Sequence, residues 1–333
     1  MLKRFIGLLL LSLPLTGIDC RAEETYDSFI SLQLENDLWG SNDDRFYTHG
    51  SKFSWATNEP APEFLLSLTE RLPFYKSGPT ERHGFEIGQA IFTPEDIEAT
   101  ALIEDDRPYA SWLYLNTGIG HVYHDRGDRE RMNMLLLTIG IVGPSSLGEE
   151  TQEAVHSVFD NTDPQGWDNQ LEDELGLNFT FLSKSRRIYG FDESWQTELG
   201  GHNNFTLGNV YSYAAVGVTA RFGTHLKNDI GPPSILPGFP GTPTFNPYRK
   251  SNWYLFAGLE VRAMLHNIFL DGNTQRDSHS VVKEKWVADI QFGVAYHFND
   301  MRVSFVQLFR SREFESQDEA TQYGAINFTF FNG

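Results

Sequence analysis

The segment Trp286–Phe298, WVADIQFGVAYHF, alternates between two kinds of side chain. Every second residue from Trp286 is apolar or aromatic, whereas the intervening positions include Asp289, Gln291 and His297. A period of two residues is that of a β-strand, whose successive side chains point to opposite faces. The segment is long for a strand of a soluble sandwich and suits a tilted strand that crosses a bilayer. Aromatic residues at both ends of the apolar face fit two membrane interfaces.

Similar segments recur along the chain and, with 286–298, make about twelve strands, an even number typical of an exported single-chain barrel. The others cover about 28–36, 49–57, 82–92, 110–121, 133–143, 176–184, 194–201, 209–222, 252–264, 300–311 and 322–331. The mean hydropathy is −0.37 although aromatic residues make up 14% of the sequence. The sequence therefore predicts an all-β fold, a transmembrane antiparallel β-barrel of about twelve strands.

The connections between these segments differ in kind. Asn299–Asp300 is a tight turn between the tenth and eleventh strands, and short turns belong on the periplasmic side. The proline-rich stretch 223–251 is a long irregular connection, which we expect outside the cell. Apolar residues at helical spacing occur in Gly148–Asn161, and Gly166–Leu175 could form a second short helix. These segments predict a short helical insertion in an extracellular loop that packs on or into the barrel mouth.

Residues 1–22 have the features of a secretory signal peptide. Basic residues precede a short apolar run at 5–15, and Cys20–Ala22 offers a cleavage site with small residues. The run is too short to span a bilayer as a helix, which needs about 20 residues. We therefore expect cleavage after Ala22, export, and a single outer-membrane barrel domain over 23–333.

The composition is strongly acidic, with 45 acidic and 26 basic residues and a formal net charge of −19. Such a surface argues against nucleic acid as a partner. It would also repel anionic lipid headgroups unless a bound cation or local basic side chains intervene. The single cysteine, Cys20, lies in the predicted signal peptide, so the mature chain has neither a disulfide nor a thiol nucleophile.

The stretch Glu35–Gly50, ENDLWGSNDDRFYTHG, joins the first two predicted strands. Oxygen donors at this density suit a hard cation or a polar active site. The same residue types are also those of a solvated hairpin turn, and composition leaves both interpretations open. We assign the middle, Ser41–Asp44, to the turn and the chemistry to the two ends of the stretch.

Gln152 and His156 are four residues apart in the predicted helix and therefore share one face. A histidine is a candidate general base, although most histidines are structural or surface residues. The remaining histidines show no spacing typical of a metal pair. No Gly-x-Ser-x-Gly elbow, His-Glu-x-x-His sequence or phosphate-binding loop is present. A serine-nucleophile hydrolase therefore has no motif support.

The sequence resembles the lipid A 3'-O-deacylases of Gram-negative outer membranes over essentially the whole mature chain. The motifs that carry the resemblance are, in order, Glu35-Asn36-Asp37, Tyr47-Thr48-x-Gly50, Asp106-Arg107-Pro108-Tyr109-Ala110, Leu115-Asn116-Thr117-Gly118, Ile141-Val142-Gly143-Pro144, Gln152-x-x-x-His156 and Trp167-x-x-Gln170-Leu171-Glu172. Each motif is short, and their order and spacing together make the match specific. The family is a twelve-stranded barrel, which agrees with the strand count.

The resemblance implies calcium-dependent hydrolysis of the ester that holds the 3'-acyloxyacyl group of lipid A. Asn36, Asp37 and Thr48 fall on the family's site positions in the first two strands, and Gln152 and His156 fall on those of its helical loop. As a hypothesis, His156 is the general base, and Asp37 helps to hold a Ca²⁺ ion that stabilises the oxyanion. Asn36 and Thr48 would then position the substrate or the oxyanion, and Gln152 would orient water or His156.

Recognition of the two lipid A phosphates calls for basic side chains near the mouth. The candidates are Arg45, Arg107 and the cluster Lys184–Arg187, because 83–106 contains no lysine or arginine. Alternatively, the substrate has a less charged headgroup. Arg107 is equally well explained as a lumen residue paired with acidic neighbours.

Two other functions remain open. A non-enzymatic, porin-like barrel predicts ion conductance without acyl release, and a calcium-dependent outer-membrane phospholipase predicts lysophospholipid with lipid A intact. A pore does not need the combined placement of Asn36, Asp37, Thr48, Gln152 and His156, which favours the deacylase. Its expected partners are lipopolysaccharide as the substrate and the surrounding outer-membrane lipids, with the protein itself a monomer.

Overall fold

The computed structural model describes residues 27–36, 46–125, 129–159, 163–190, 194–228 and 251–332. Within these ranges, twelve antiparallel strands close into one barrel, in which the first strand pairs with the last. The strands are β1 Ser28–Asn36, β2 Phe46–Thr57, β3 Thr80–Thr93, β4 Ala110–Asp125, β5 Arg129–Val142, β6 Glu174–Tyr189, β7 Gln196–Gly208, β8 Tyr211–Gly223, β9 Asn252–Asn267, β10 Trp286–Phe298, β11 Met301–Arg310 and β12 Thr321–Asn332. Closure leaves no unpaired sheet edge, as a bilayer requires. The predicted all-β barrel is confirmed.

The alternation along β10 separates an outer wall from a lumen. Trp286, Ile290 and Phe292 are exposed on the outer wall, whereas Asp289 and His297 are buried. The outer wall is apolar because it contacts lipid tails, and the polar residues of the same strand turn inward. The signal peptide predicted for residues 1–22 lies outside the described residues.

Buried charges in the lumen are paired. Asp289 accepts hydrogen bonds from Arg262 and Arg310, with an Arg310 Nε to Asp289 Oδ1 distance of 2.9 Å. Lys52 Nζ lies 2.5 Å from Glu35 Oε1, and both side chains are buried. Because an unpaired buried charge is costly, each pair depends on both of its members.

Aromatic rings fill the lumen at another level. The one-turn helix Ile268–Asp271 brings Phe269 onto Phe92 with a centroid distance of 4.2 Å. Trp112 and Tyr211 pack around the same ring at 6.4 and 5.5 Å. In the described part of the chain, rings and ion pairs thus occupy the space that a pore would need. This filling weighs against the porin-like alternative.

Connections that follow even-numbered strands share one end of the barrel, because antiparallel strands alternate in direction. The predicted tight turn Asn299–Asp300 follows β10, and the connection 224–251 follows β8. Both therefore leave the end that also holds Asp27 and Asn332, whose backbones are hydrogen-bonded at 2.9 Å. The expectation that the connection 223–251 leaves the barrel opposite the tight turn is wrong, because strand parity determines the end and loop length does not. Residues 229–250 of this connection lie outside the described ranges. We call this end the tight-turn end.

Three α-helices occur in the described ranges: α1 Glu63–Arg71, α2 Gly148–Phe159 and α3 Ile268–Asp271. The structure confirms the helix predicted at 148–161, and it lies at the opposite end, which we call the α2 end. It packs on the outer wall at β3 and β4, so the expectation that it packs on or into the barrel mouth is wrong. None of the described helices is long and apolar enough to cross a membrane.

The prediction of a second helix at Gly166–Leu175 is wrong. The segment forms only a single 3₁₀ turn, at Trp167–Asn169. The turn does not continue because its next backbone donors bond elsewhere. Leu171 N donates to Tyr109 O at 2.9 Å and Glu172 N donates to the Asn273 side chain at 3.1 Å.

Candidate active site

A row of paired residues crosses β1–β4 near the α2 end. Asn36 on β1 pairs with His49 on β2, His49 pairs with Ile91 on β3, and Ile91 pairs with Ser111 on β4. Adjacent strands lie about 4.8 Å apart, so the row extends about 14 Å around the barrel.

This row lies on the outer wall. Ile87 on β3 and Leu115 on β4 are about half exposed, and the period of two puts Ile91 and Ser111 on the same face. Ile91 and Ser111 are nevertheless fully buried. Something must therefore cover the wall at this level.

The connection after β5 provides the cover. It begins at Gly143, whose φ of +102° suits glycine, and folds back onto the strands. The Gln89 side-chain amide on β3 donates to Ser146 O at 2.7 Å, and the Ser111 and Ser146 hydroxyls are hydrogen-bonded. Gly148 packs directly against Ser111, where any larger side chain would clash. These contacts fix the start of α2 on the outer wall.

Gln152 and His156 lie on the buried face of α2, as their spacing predicts. They are 1% and 2% exposed, and α2 contacts the barrel through β3 and β4. The acidic residues Glu149 and Glu150 occupy the first turn, where they complement the helix dipole. The face with the candidate base is thus enclosed between helix and barrel wall.

Trp167 holds the Gln152 amide in one orientation. The indole Nε1 donates to Gln152 Oε1 at 2.9 Å, and the indole is itself buried. Tyr109 packs on the Trp167 ring at 4.9 Å. Among the described residues, the buried Gln152 Nε2 has no hydrogen-bond partner. Because the oxygen is already bonded, the amide presents its N–H donors to the site.

The structure places the β1–β2 candidates only in part. Asn36 is half-buried on the outer face, two strand spacings or about 10 Å from β3, on which α2 packs. Asp37 and Arg45 lie outside the described residues. The backbone of Thr48 is described: the register of β2 against β3 shifts between Tyr47 and His49, which makes Thr48 the extra residue of a bulge. Bulges redirect side chains and are frequent beside active sites.

The other basic candidates lie away from this face. Arg107 is buried in the lumen over the rings of Phe92 and Phe314, at 5.2 and 5.9 Å, with its Nη1 3.6 Å from Glu313. This placement favours the structural interpretation of Arg107. The cluster Lys184–Arg187 lies at the tight-turn end of β6, remote from α2.

The exposed side of α2 is acidic. Burial raises the pKa of the Glu149 carboxyl, and the charges of Glu153, Glu150 and Asp168 raise it further. Within the described ranges, no group of three or more His, Cys, Asp or Glu side chains is arranged to hold a metal ion. The Ca²⁺ ligand predicted at Asp37 lies outside those ranges, so calcium stays a prediction.

The sequence profile of the family described as "Outer membrane protein LpxR" matches residues 5–331. The chain belongs to the LpxR family. This membership confirms the resemblance drawn from the motifs, and it makes the barrel an outer-membrane protein. A comparison with curated proteins gives no match.

Solved structures agree with LpxR membership at the level of the fold. LpxR from Salmonella typhimurium is 18% identical, with a TM-score of 0.73 over 91% of this chain and 99% of that one. The KdgM porin, at 6% identity, reaches a TM-score of only 0.39 over 91% of this chain and 98% of its own.

Two residues that the structure brings into the candidate site were missed in the sequence. His49 lies in the row between Asn36 and Ile91, and its place between Thr48 and Gly50 in a quoted motif was the available signal. Trp167 belongs to another quoted motif, but its bond to Gln152 joins residues on separate segments. Only the folded connection brings them together.

Proposed function

We propose that this LpxR-family protein hydrolyses the ester-linked 3'-acyloxyacyl group of lipid A, acting as a lipid A 3'-O-deacylase. The observation that carries the proposal is the position of Gln152 and His156, enclosed between α2 and the outer barrel wall. A site on the outer wall is on the membrane side of the barrel, where a lipid ester lies near the headgroup level. A pore would have its polar residues in the lumen instead.

The end of the barrel at which α2 lies supports lipid A, rather than a phospholipid of the inner leaflet, as the substrate. α2 lies opposite the tight-turn end, which we place in the periplasm because three of its five connections have six residues or fewer, against one of six at the α2 end. The site is therefore level with the outer leaflet, in which lipid A is anchored.

The proton transfers can be assigned to this chain's own residues. His156 accepts a proton from water as the water oxygen bonds to the ester carbonyl carbon. The N–H groups of Gln152 donate to the oxyanion, since Trp167 already occupies the amide oxygen. When the carbon–oxygen bond to the sugar breaks, His156 returns its proton to the 3'-oxygen. The products are the free acyloxyacyl acid and a 3'-hydroxyl, without an acyl-enzyme.

The donor set suits calcium. Asn36, Asp37 and Thr48 supply the amide, carboxylate and hydroxyl oxygens that Ca²⁺ prefers. Asp37 would hold the ion, with Asn36 and Thr48 positioning the substrate. When bound, the ion would supply Lewis-acid polarisation of the ester carbonyl.

The direct test is a mass spectrum of lipid A from cells with and without the protein. We expect loss of the 3'-acyloxyacyl mass only when the protein is present. Lysophospholipid with intact lipid A would assign the site to a phospholipase. Unchanged lipids together with ion conductance in planar bilayers would support the porin-like alternative and overturn the proposal.

Trp167→Phe should lower kcat about fivefold, because it removes one orienting hydrogen bond worth about 1 kcal/mol. KM should change little, since the bond acts through Gln152 on the oxyanion. In a Gln152→Ala background the same substitution should have almost no further effect, because it acts only through Gln152. The measurement is the steady-state kcat and KM of each purified variant for lipid A in detergent micelles.

Tyr109→Phe is the matched control for Trp167→Phe. It removes the hydroxyl that donates to Ile97 O at 3.0 Å, in the same packed cluster, without touching Gln152. Equal losses from Tyr109→Phe and Trp167→Phe would mean that the cluster acts through packing alone. Additive losses in the double variant Trp167→Phe/Gln152→Ala would also contradict the idea that Trp167 acts through Gln152.

A further inference from the structure

The connection between β2 and β3 packs on the outer wall at the tight-turn end, far from the candidate active site. Leu65 of α1 and Tyr75 after it cover Ile119, Leu135 and Phe181. These three residues are paired neighbours on β4, β5 and β6. The connection is therefore bound across three strands rather than extending away from the barrel.

The covered residues belong to the lipid-facing surface. Ile119 and Leu135 are 0% exposed, whereas Leu115 and Ile139, four residues nearer the α2 end on the same faces, are 47% and 49% exposed. The lipid-facing wall thus extends to the residues that α1 covers.

On the far side of this row the outer wall becomes polar. Tyr75 Oη lies 2.8 Å from His121 Nδ1, and His121 Nε2 lies 3.0 Å from Glu81 Oε2. The Asn133 side-chain amide donates to Lys76 O at 3.2 Å. Polar side chains on the outside of a membrane barrel belong at headgroup level, since lipid tails cannot satisfy them. The boundary between tails and headgroups therefore runs beneath α1.

Two aromatic rings of the connection are largely exposed at this boundary. Phe64 in α1 and Phe74 after it are each 55% exposed, and the Phe74 ring contacts Phe181 edge-on at 5.0 Å. Glu70 is exposed as well and provides a charged position on the same helix. Aromatic side chains are enriched where membrane barrels meet the interface.

We propose that α1 is an interfacial element that inserts Phe64 and Phe74 into the phospholipid leaflet at the tight-turn end. We expect phospholipid to contact these rings, because they continue the lipid-facing wall and lie at its tail–headgroup boundary. This inference does not rest on the proposed reaction.

Single-cysteine spin labels test the proposal. In a Cys20→Ser background, Phe64→Cys and Phe74→Cys would each carry a nitroxide in the full barrel, reconstituted in phosphatidylethanolamine–phosphatidylglycerol vesicles. We expect the ratio of oxygen to polar nickel-chelate accessibility at both sites to exceed that at Glu70→Cys about tenfold, since acyl chains exclude polar solutes. Val216→Cys, which replaces a residue exposed on the barrel wall, is the control for full lipid contact.

Ratios at Phe64 and Phe74 equal to that at Glu70 would place α1 in water and overturn the proposal. Dipolar broadening that persists when the protein is diluted in lipid would assign the face to a second copy of the chain, which overturns it as well. Each labelled variant is run unheated on a gel in detergent. A band at the position of the folded barrel confirms that the accessibility ratios refer to the native structure.

Discussion

His156→Ala should lower lipid A deacylation by about 10²- to 10⁴-fold, the range typical of a lost general base. The expectation follows from the burial of His156 on the face of α2 that meets the barrel wall. The measurement is the remaining 3'-acylated lipid A in outer membranes, by mass spectrometry, at matched protein levels. His156→Gln serves as a second variant, because it keeps most of the side-chain volume and removes the basic nitrogen.

His124→Ala is the matched control for the histidine substitution. The His124 side chain is exposed near the tight-turn end of β4, 3.7 Å from Glu130, and takes no part in the candidate site. Its substitution should leave deacylation unchanged. Full activity of both His156 variants would remove the residue from the mechanism, whatever the result with His124.

Removal of calcium should abolish deacylation. The expectation rests on the oxygen donors at Asn36, Asp37 and Thr48 and on the acidity of the chain, which would repel an anionic substrate without a cation. Exhaustive EGTA treatment followed by added Ca²⁺ should switch activity off and on again. Mg²⁺ should restore little, because it demands stricter octahedral geometry and loses its waters reluctantly.

Asp37→Asn should raise the Ca²⁺ concentration needed for half-maximal activity by tenfold or more, on the order of the loss seen when a metal-site residue is changed. Asp43→Asn is its matched control, since it removes the same charge from the middle of the same connection. Equal shifts for the two variants would point to a general charge effect. Activity that survives EGTA would exclude calcium from the reaction.

The position of the acidic surface bears on the substrate headgroup. Glu149, Glu150 and Glu153 line the exposed side of α2, and the described basic candidates lie in the lumen or at the other end. Arg45 is the remaining candidate near the β1–β2 connection. Either Arg45 and a bound cation meet the phosphates, or the natural substrate carries fewer charges there.

The local pattern of the sequence determined the barrel and its strands. A period of two residues distinguishes two faces within any strand, so segments such as Trp286–Phe298 could be assigned without knowledge of their partners. The i, i+4 spacing likewise placed Gln152 and His156 on one helix face. Site chemistry followed from residue type and motif order. All of these properties depend on a few residues that are close together in the sequence.

Only the tertiary structure decided which surfaces are covered. Periodicity puts Ile91 and Ser111 on the outer face, but their burial depends on the connection that folds back after β5. The bond from Trp167 to Gln152 likewise joins segments that come together only in the folded chain.

The same distinction explains two of the predictions that failed. The end at which 223–251 emerges depends on counting all the strands before it, and the helix at Gly166–Leu175 stops because Tyr109 and Asn273 bind its backbone donors. Arg107 could be a headgroup ligand or a lumen residue until the rings around it were known. Burial and long-range hydrogen bonds are properties of pairs of distant residues, and a local pattern does not specify them.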